Sequence, residues 1–259
     1  MPEGDTVFRT ARTLDQALRG EVLTGCDIRV PAFATVDLAG ERMGEVASRG
    51  KHLLMRVGEA SIHSHLKMEG SWHLYRSGTR WRRPAFQARA VLETAGWTAV
   101  GFDLGLLEVL PLDREAERLS WLGPDLLGAD WDADEAVRRL LSMPDRPVAV
   151  ALADQRNLAG LGNEYVNELC FLRGLLPARP VAAVTDVPAL VALAHRLILA
   201  NRDRNERTTT GNTRRGAQSW VFSRGGQACR RCGTRIESGR LGRNELELRN
   251  TFWCPRCQT

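Results

Sequence analysis

Apolar residues close to the amino terminus recur with the spacing of an amphipathic helix. Successive members are four, three and four positions apart, so they share one helical face. The residues are Val7, Ala11, Leu14 and Leu18. Asp5 or Thr6 suits the N-cap position, and Gly20 is placed to end the segment. The pattern therefore predicts a helix that starts almost at the first residue.

Short alternating or β-branched runs, separated by Gly and Pro, replace this pattern from Glu21 to about Leu110. The predicted strands are Val22–Val30, His52–Val57, Ser61–Met68, Ala88–Glu93 and Thr98–Phe102. A succession of short strands with turns between them is typical of a β-sandwich or barrel-like domain. We therefore expect the leading helix to be followed by such a domain.

Helical spacing returns after a connector, residues 112–131, that contains Gly123-Pro124. The predicted helical segments are Ala133–Leu141, 147–157, Asn163–Arg173 and Pro188–Asn201. Asp132 is a suitable cap for the first of them. The turn Gly160-Leu161-Gly162 separates two of these segments, which indicates a helix–turn–helix unit.

Two pairs of cysteines near the carboxyl terminus have the spacing of zinc knuckles. Cys229 and Cys232 are followed, after a gap of 21 residues, by Cys254 and Cys257. Two such knuckles place four thiolates around one zinc ion, and the metal supplies folding energy to a tail that has few apolar residues. Two disulfides are the alternative, which a cytoplasmic location disfavours.

Charge is distributed unevenly along the chain. The formal net charge is +5, but residues 201–259 contain thirteen Arg and five acidic residues, whereas residues 1–200 carry a net charge of −3. A basic end suits a polyanion such as nucleic acid, although a solvated Arg-rich tail has the same composition. No apolar run reaches the length of a membrane span and no secretory signal is evident, so we expect a cytoplasmic protein without a membrane partner.

Pro2 is the first candidate for covalent chemistry. Methionine before proline is normally removed, and the α-amine then exposed titrates near pH ~8, so part of it is neutral at physiological pH. A neutral amine can attack a sugar carbon and form an iminium. Glu3 and Lys51 could transfer protons beside it. Taken alone, a proline at position two is also compatible with an ordinary start of translation.

Two residues of the carboxyl-terminal half are candidate phosphate ligands. Asn163 follows the glycine turn at a helix N-terminus, where backbone N–H groups attract anions, although helix capping alone would account for it. Arg249 begins a strand-like run into Cys254 and would project from a hairpin that the metal makes rigid. A solvated arginine is the alternative for Arg249.

His63 and His65 alternate on a predicted strand and so face the same side. A metal pair is conceivable. Because no third ligand is evident nearby, a structural or DNA-facing role is favoured.

Together these features resemble the formamidopyrimidine-DNA glycosylase and endonuclease VIII family. The motifs, in the family's order, are Met1-Pro2-Glu3-Gly4, Gly50-Lys51, His65-Leu66-x-Met68, Gly160-Leu161-Gly162-Asn163 and the four cysteines. The resemblance covers nearly the whole chain. It implies an enzyme that straddles damaged duplex DNA, flips the lesion out, attacks C1′ with the Pro2 amine and cuts the strand by β- and δ-elimination.

The resemblance also implies roles for individual residues. Glu3 is the proton donor and shuttle, and Lys51 is the proton donor for β-elimination and a phosphate ligand. Asn163 is a phosphate ligand, and Arg249 contacts the phosphate at the lesion.

Two departures from the family pattern change the expected substrate. Thr6 stands where most members have a second acidic residue. The stretch 101–108 lacks the Arg and Phe with which the formamidopyrimidine branch fills the gap left by the flipped base. Met68 remains as the candidate wedge. We therefore place the chain in the endonuclease VIII branch and expect oxidised pyrimidines as substrates, with little preference for the opposite base.

The predicted architecture is α+β and multidomain. A catalytic β-sandwich with a leading helix spans 1–122, a helix–two-turn–helix DNA-binding domain 123–223 and a zinc-ribbon hairpin 224–259. We also expect one structural zinc and damaged duplex DNA as the partner. We expect the protein to be a monomer in the bacterial cytoplasm that acts at the nucleoid. The alternatives are a zinc-ribbon helix–turn–helix protein that binds DNA without catalysis, in which Pro2 and Lys51 are inert, and an RNA-binding protein of translation, which accounts only for the basic tail.

Overall fold

The computed structural model describes residues 2–259, and Met1 lies outside this range. The chain forms two compact units, the first ending at Trp121 and the second spanning Leu122–Thr259. The first unit consists of a helix and eight strands, with a short helix at its end. These elements are α1 (Gly4–Leu18), β1 (Gly25–Ile28), β2 (Met43–Arg49), β3 (His52–Val57), β4 (Ala60–His65), β5 (Ser71–Arg76), β6 (Ala88–Glu93), β7 (Trp97–Phe102), β8 (Leu106–Pro111) and α2 (Glu115–Arg118).

The eight strands form two antiparallel four-stranded sheets, with strand orders β1-β6-β7-β5 and β2-β3-β4-β8. The apolar face of α1 is buried in the same core as residues from both sheets. A buried hydrogen bond from Trp72 Nε1 to Ser64 Oγ, 3.1 Å long, connects β5 of one sheet with β4 of the other. The predicted β-sandwich with a leading helix is confirmed.

Several boundaries in the first unit differ from the predictions. Helix α1 begins at Gly4 with Glu3 as its N-cap, two or three residues earlier than the Asp5 or Thr6 cap that was expected. The run predicted as Val22–Val30 shortens to β1, because Val22 makes only an isolated bridge to Arg42. Strands β2, β5 and β8 were not predicted. Their polar or half-buried positions outnumber their buried apolar ones, so a hydrophobic pattern does not mark them.

The second unit is helical and ends in a hairpin. Its elements are α3 (Ala133–Leu141), α4 (Val148–Ala153), α5 (Asn163–Arg173), α6 (Val187–Asn201), β9 (Glu237–Leu241) and β10 (Arg249–Trp253). Asp132 caps α3 through a 2.9 Å hydrogen bond to the Glu135 N–H, as the sequence predicted. Strands β9 and β10 pair antiparallel and form the hairpin next to the cysteine pairs. Within residues 2–259, no helix combines the length and the apolar composition that crossing a membrane requires.

Glu168, in the middle of α5, is fully buried and anchors an irregular segment of the second unit. Its carboxyl oxygens accept hydrogen bonds from the backbone N–H groups of Trp220, Val221 and Phe222 at 2.7, 2.8 and 2.8 Å. The hydroxyl of Thr209 donates to the same carboxyl group. One side chain therefore satisfies three backbone donors of a segment that has no regular secondary structure.

Substitution of Glu168 should show how much this anchor contributes. Glu168→Ala leaves three backbone donors without an acceptor, each of which costs roughly 1–3 kcal/mol when buried, so the free energy of unfolding should fall by about 3 kcal/mol or more. Glu168→Gln keeps one acceptor oxygen, so its free energy of unfolding should lie between that of the native chain and that of Glu168→Ala. Urea unfolding followed by circular dichroism measures the difference. The control is Glu206→Ala, at an exposed position whose carboxyl, among the described residues, accepts a hydrogen bond only from Gln218 Nε2. An equal loss in both variants would contradict the anchor.

Candidate functional site

The first turn of α1 carries the predicted amino-terminal chemistry. Pro2 is half-buried and directly precedes Glu3, which is fully buried and whose backbone oxygen accepts from the N–H groups of Thr6 and Val7 at 3.0 and 3.1 Å. Asp5 is fully buried as well, and its carboxyl accepts from the Thr6 N–H at 2.8 Å. Thr6 cannot provide the second carboxyl group of the family pattern, but the adjacent Asp5 has a buried carboxyl group, which no sequence motif indicates.

Lys51 lies on the two-residue turn that connects β2 and β3. Gly50, the first residue of this turn, has φ +58°, a conformation that favours glycine and is typical of a type II′ hairpin. The Lys51 side chain is largely buried. Helix α1 packs against β2 and β3, so Glu3 and Lys51 are carried by elements that contact each other.

His63 and His65, predicted to share a face of one strand, belong to a larger polar cluster within the first unit. His52 Nδ1 lies 2.8 Å from His63 Nε2, and His63 Nδ1 lies 2.7 Å from Glu108 Oε1. Arg118 Nε donates to the same Glu108 oxygen at 2.7 Å. Sequence spacing indicated no third group near this histidine pair. The structure adds His52 and Glu108 from the neighbouring strands β3 and β8, and their hydrogen bonds to His63 are compatible with the structural role that was favoured.

The hydrogen-bond order fixes the protonation of this cluster. Burial alone would raise the pKa of Glu108, but hydrogen bonds from Arg118 and His63 lower it overall, so Glu108 is ionised and only accepts. His63 must then donate from Nδ1, which leaves Nε2 of the neutral ring to accept from His52. Burial, reinforced by the neighbouring histidines, lowers the pKa of His52 to about 3, and burial with the charge of Lys51 lowers that of His65 to about 4.

Met68 lies at the tip of a turn closed by a 2.9 Å hydrogen bond from the Gly70 N–H to the Leu66 oxygen. Its side chain is 66% exposed, which is uncommon for methionine and compatible with an inserted wedge. The stretch 101–108 lacks the wedge residues of the formamidopyrimidine branch. In the structure it comprises the end of β7, a three-residue connection and the start of β8. This connection joins the two sheets and is too short to form an extended loop.

Asn163, at the start of α5, does not cap the helix; Gly162 occupies the N-cap position. The Asn163 side chain donates from Nδ2 to the backbone oxygen of Asn250 at 2.8 Å, and Asn167 Oδ1 accepts from the Phe252 N–H at 2.6 Å. Both asparagines therefore fasten β10 to α5. Arg249, the first residue of β10, is exposed on this hairpin.

The four predicted metal ligands lie together. The sulfur atoms of Cys229, Cys232, Cys254 and Cys257 are all within 4.8 Å of one another, with Cys229 and Cys257 4.0 Å apart and Cys232 and Cys254 3.5 Å apart. Four sulfurs at Zn–S distances near 2.3 Å in a tetrahedron are about 3.8 Å apart, so the donor set and its spacing fit a structural zinc site. All six cysteines of the chain are free thiols, which contradicts the disulfide alternative.

Comparisons with known proteins agree with this arrangement. Residues 1–103 match the family model of the formamidopyrimidine-DNA glycosylase N-terminal domain. The chain is 53% identical to a Mycolicibacterium smegmatis protein named DNA-(apurinic or apyrimidinic site) lyase Nei2, over 100% of this chain and 99% of the relative. It is 52% identical to Endonuclease 8 2 of Mycobacterium tuberculosis, over the full length of both chains.

Solved structures share the fold. A structure of MutM in complex with DNA containing carbocyclic 8-oxo-G has a TM-score of 0.83 at 21% identity, and it covers 100% of both chains. A complex of Lactococcus lactis Fpg with DNA containing an abasic site has the same TM-score of 0.83 at 20% identity and the same coverage. At these identities the likeness shows the fold alone.

The histidine cluster predicts how stability depends on pH. Because the pKa values of His52 and His65 are lowered from 6.5 to about 3 and about 4 in the folded chain, only the unfolded chain takes up these protons as pH falls from 7 to 5. The free energy of unfolding should fall over this interval by about 2 kcal/mol per histidine. His52→Gln with His65→Gln should remove this part of the pH dependence in urea unfolding.

The matched control for the histidine variant is His195→Gln, at a half-buried position of the second unit. It should keep most of the slope between pH 7 and pH 5. An unchanged slope in the His52 and His65 double variant would show that the two rings are not held neutral by the fold.

Proposed function

Because the chain belongs to the formamidopyrimidine-DNA glycosylase and endonuclease VIII family, on its endonuclease VIII branch, we propose that it excises damaged bases from DNA and cleaves the strand at the resulting abasic site. One observation carries the proposal. A half-buried Pro2 directly precedes two buried carboxyl groups, Glu3 and Asp5, on the first turn of a helix that packs against the strands flanking Lys51. Removal of Met1 makes this proline an amine nucleophile with proton-transfer groups beside it.

The reaction begins at C1′ of the damaged nucleotide. The Pro2 nitrogen bonds to C1′ while the bond from C1′ to the base breaks, and the base leaves with the electron pair and a proton from Glu3. The Pro2 nitrogen then loses its proton to the Glu3 carboxylate, and its lone pair forms a double bond to C1′ as the bond from C1′ to O4′ breaks. Glu3 passes the proton to O4′, so the ring opens to an iminium on Pro2. Loss of a proton from C2′ then expels the 3′ phosphate, and loss of a proton from C4′ expels the 5′ phosphate, which are the β- and δ-elimination steps.

Lys51 and Asp5 support these steps from the same unit. Lys51 supplies the proton to the leaving 3′ phosphate and holds a phosphate by its charge. Asp5 takes the place of the second carboxyl group that Thr6 does not provide. The neutral His52 and His65 beside Lys51 add no positive charge to this segment.

The second unit supplies DNA contacts. Arg249 is exposed on a hairpin that Asn163 and Asn167 fasten to α5, so its guanidinium is held for a lesion phosphate. The second amide hydrogen of Asn163 is available to a phosphate at the helix N-terminus. One zinc ion held by the four cysteines keeps the hairpin folded and takes no part in the chemistry.

The expected substrate depends on which side chains fill the gap that the flipped base leaves in the duplex. The connection after β7 is three residues long, and Asp103 within it forms an ion pair with Arg83. It therefore offers no side chain to contact the base opposite the lesion. Met68 is the wedge. With one flexible apolar plug, selection depends on how easily the lesion leaves the stack, which favours non-planar oxidised pyrimidines such as thymine glycol and dihydrouracil, and abasic sites.

Borohydride trapping on lesion-bearing oligonucleotides tests the nucleophile and the substrate together. The native chain should form a covalent adduct with duplexes that contain an abasic site or thymine glycol, and it should react more slowly with 8-oxoguanine opposite cytosine. Pro2→Gly should reduce trapping at least tenfold, since a primary amine replaces the secondary one. An uncleavable amino-terminal extension should abolish trapping, because it converts the amine into an amide.

The matched control for the trapping experiment carries the same extension at the carboxyl terminus and should trap at the native rate. Full lyase activity with the amino-terminal extension would overturn Pro2 as the nucleophile. DNA binding without any adduct on any lesion would favour the non-catalytic DNA-binding alternative. Faster removal of 8-oxoguanine opposite cytosine than of thymine glycol would contradict the proposed substrate.

Metal analysis tests the cysteine site. Elemental analysis of the purified chain should give one zinc per chain, and Cys254→Ser should lose the metal and most of the DNA affinity. Cys26→Ser is the matched control, since Cys26 lies on β1 of the first unit and is not one of the four clustered cysteines; it should keep both the metal and the DNA affinity. A zinc-free preparation with full DNA affinity would contradict a structural role for the metal.

A further inference from the structure

A basic segment lies within the part of the chain that is otherwise not basic. Residues 70–92 contain five Arg and no Asp or Glu, whereas residues 1–200 together have a net charge of −3. The arginines are Arg76, Arg80, Arg82, Arg83 and Arg89. Four of the five lie in or beside the connection between β5 and β6, residues 77–87, which no step of the proposed reaction uses.

Inward-facing residues fix this connection, here called the β5–β6 loop. Arg83 donates to Ser71 Oγ at 2.9 Å and to Gln87 Oε1 at 3.2 Å, and it forms an ion pair with Asp103. The Trp81 ring meets Phe102 edge to face with 6.0 Å between centroids. The Arg82 N–H donates to the Tyr75 hydroxyl at 3.1 Å. The loop is therefore held in place before any ligand binds.

Outward-facing residues of the same loop are left for a ligand. Arg80 and Arg82 flank the inward-facing Trp81 and are exposed. Within residues 2–259 neither guanidinium forms a hydrogen bond or an ion pair. Phe86 is 79% exposed, which is uncommon for an aromatic ring. Residues 79–85 line an open cleft of about 620 Å³ beside it.

We propose that the β5–β6 loop is a second DNA-binding surface, which takes an unpaired strand. Two free guanidinium groups suit backbone phosphates, and the exposed aromatic ring of Phe86 on the same loop, four residues after Arg82, suits the face of a nucleobase. In a duplex the base faces are covered by stacking, so only an unpaired base can lie on Phe86. Because the anchors on Trp81 and Arg83 fix the loop, little conformational entropy is lost on binding.

This surface goes beyond excision from duplex DNA. It would hold the chain on DNA whose strands are separated next to the lesion, as at a gap or a fork. The contacts on the loop amount to two phosphates and one base, so a segment of two or three nucleotides would occupy it.

Fluorescence anisotropy with labelled oligothymidylate, an unstructured single strand, tests the proposal on the full zinc-loaded chain. Arg80→Ala with Arg82→Ala should weaken binding at least fivefold, and the log-affinity against log-salt line should become shallower by about 1.4, because each phosphate contact to a single strand contributes ~0.7. Phe86→Leu, which keeps an apolar side chain without a π face, should weaken binding at least fivefold as well, while Phe86→Tyr should retain native affinity.

The charge-matched control is Arg19→Ala with Arg114→Ala, which removes two exposed arginines of the same unit that pair with Asp15 and Glu117. It should leave single-strand affinity and lesion excision unchanged. The same variants are compared on a matched lesion duplex to separate this proposal from the proposed function. A loss at least fivefold greater for the single strand than for the duplex supports the loop surface; equal losses for both, or a loss in the control pair, would overturn it. Failure of excision in the native chain would overturn the proposed function alone.

Discussion

Backbone N–H and C=O groups of irregular segments must find partners when they are buried, and in the second unit one helix supplies them. Glu168 on α5 accepts from three successive N–H groups at residues 220–222, and Asn163 and Asn167 on the same helix bind both a C=O and an N–H of β10. Cys170 and Phe171, one turn further on, are fully buried. The cysteine hairpin and the segment before it are therefore positioned by the polar face of α5 as much as by the cysteines.

Burial of polar groups organises the first unit in a different way. Glu3, Asp5 and His63 are fully buried, and Lys51 and His52 nearly so, within the sandwich. An ion pair from Arg118 to Glu108 starts a hydrogen-bond chain that passes through His63 to His52. Burial keeps these two rings neutral, because it lowers the pKa of both, although the bond to Glu108 acts in the opposite direction on His63. A buried network of this kind lowers the stability of the fold unless each polar group in it has a hydrogen-bond partner. Because the buried rings are neutral, the first unit loses stability at low pH while it keeps titratable groups near Lys51.

Anchored and exposed residues alternate along the β5–β6 loop of the first unit. On the β5–β6 loop, Trp81 and Arg83 face inward and Arg80 and Arg82 face outward. Because successive side chains of an extended segment point to opposite sides, a few anchored residues hold their neighbours in position for a ligand. Preorganisation of this kind lowers the entropy that binding would otherwise cost.

The sequence by itself determined the features that depend on local spacing. The helical face of α1, the strands β3 and β6, the bounds of α3 and α5 and the paired cysteines follow from periodicity, capping and the CxxC pattern, and all are present in the structure. Its motifs, taken in order, also placed the chain in its family. Each of these signals lies within a few residues of chain, so no distant contact is needed to read it.

Only the tertiary structure decided which distant residues meet. His52, His63 and Glu108 come from three strands, Glu168 lies 52 residues before the first backbone group it binds, and Asn163 lies 87 residues before its partner. Strands β2, β5 and β8 were missed because pairing with neighbouring strands, rather than their own apolar pattern, stabilises them. Asp5 and the β5–β6 loop carried no motif. Their importance comes from burial in one case and exposure in the other, and both depend on how the sheets pack.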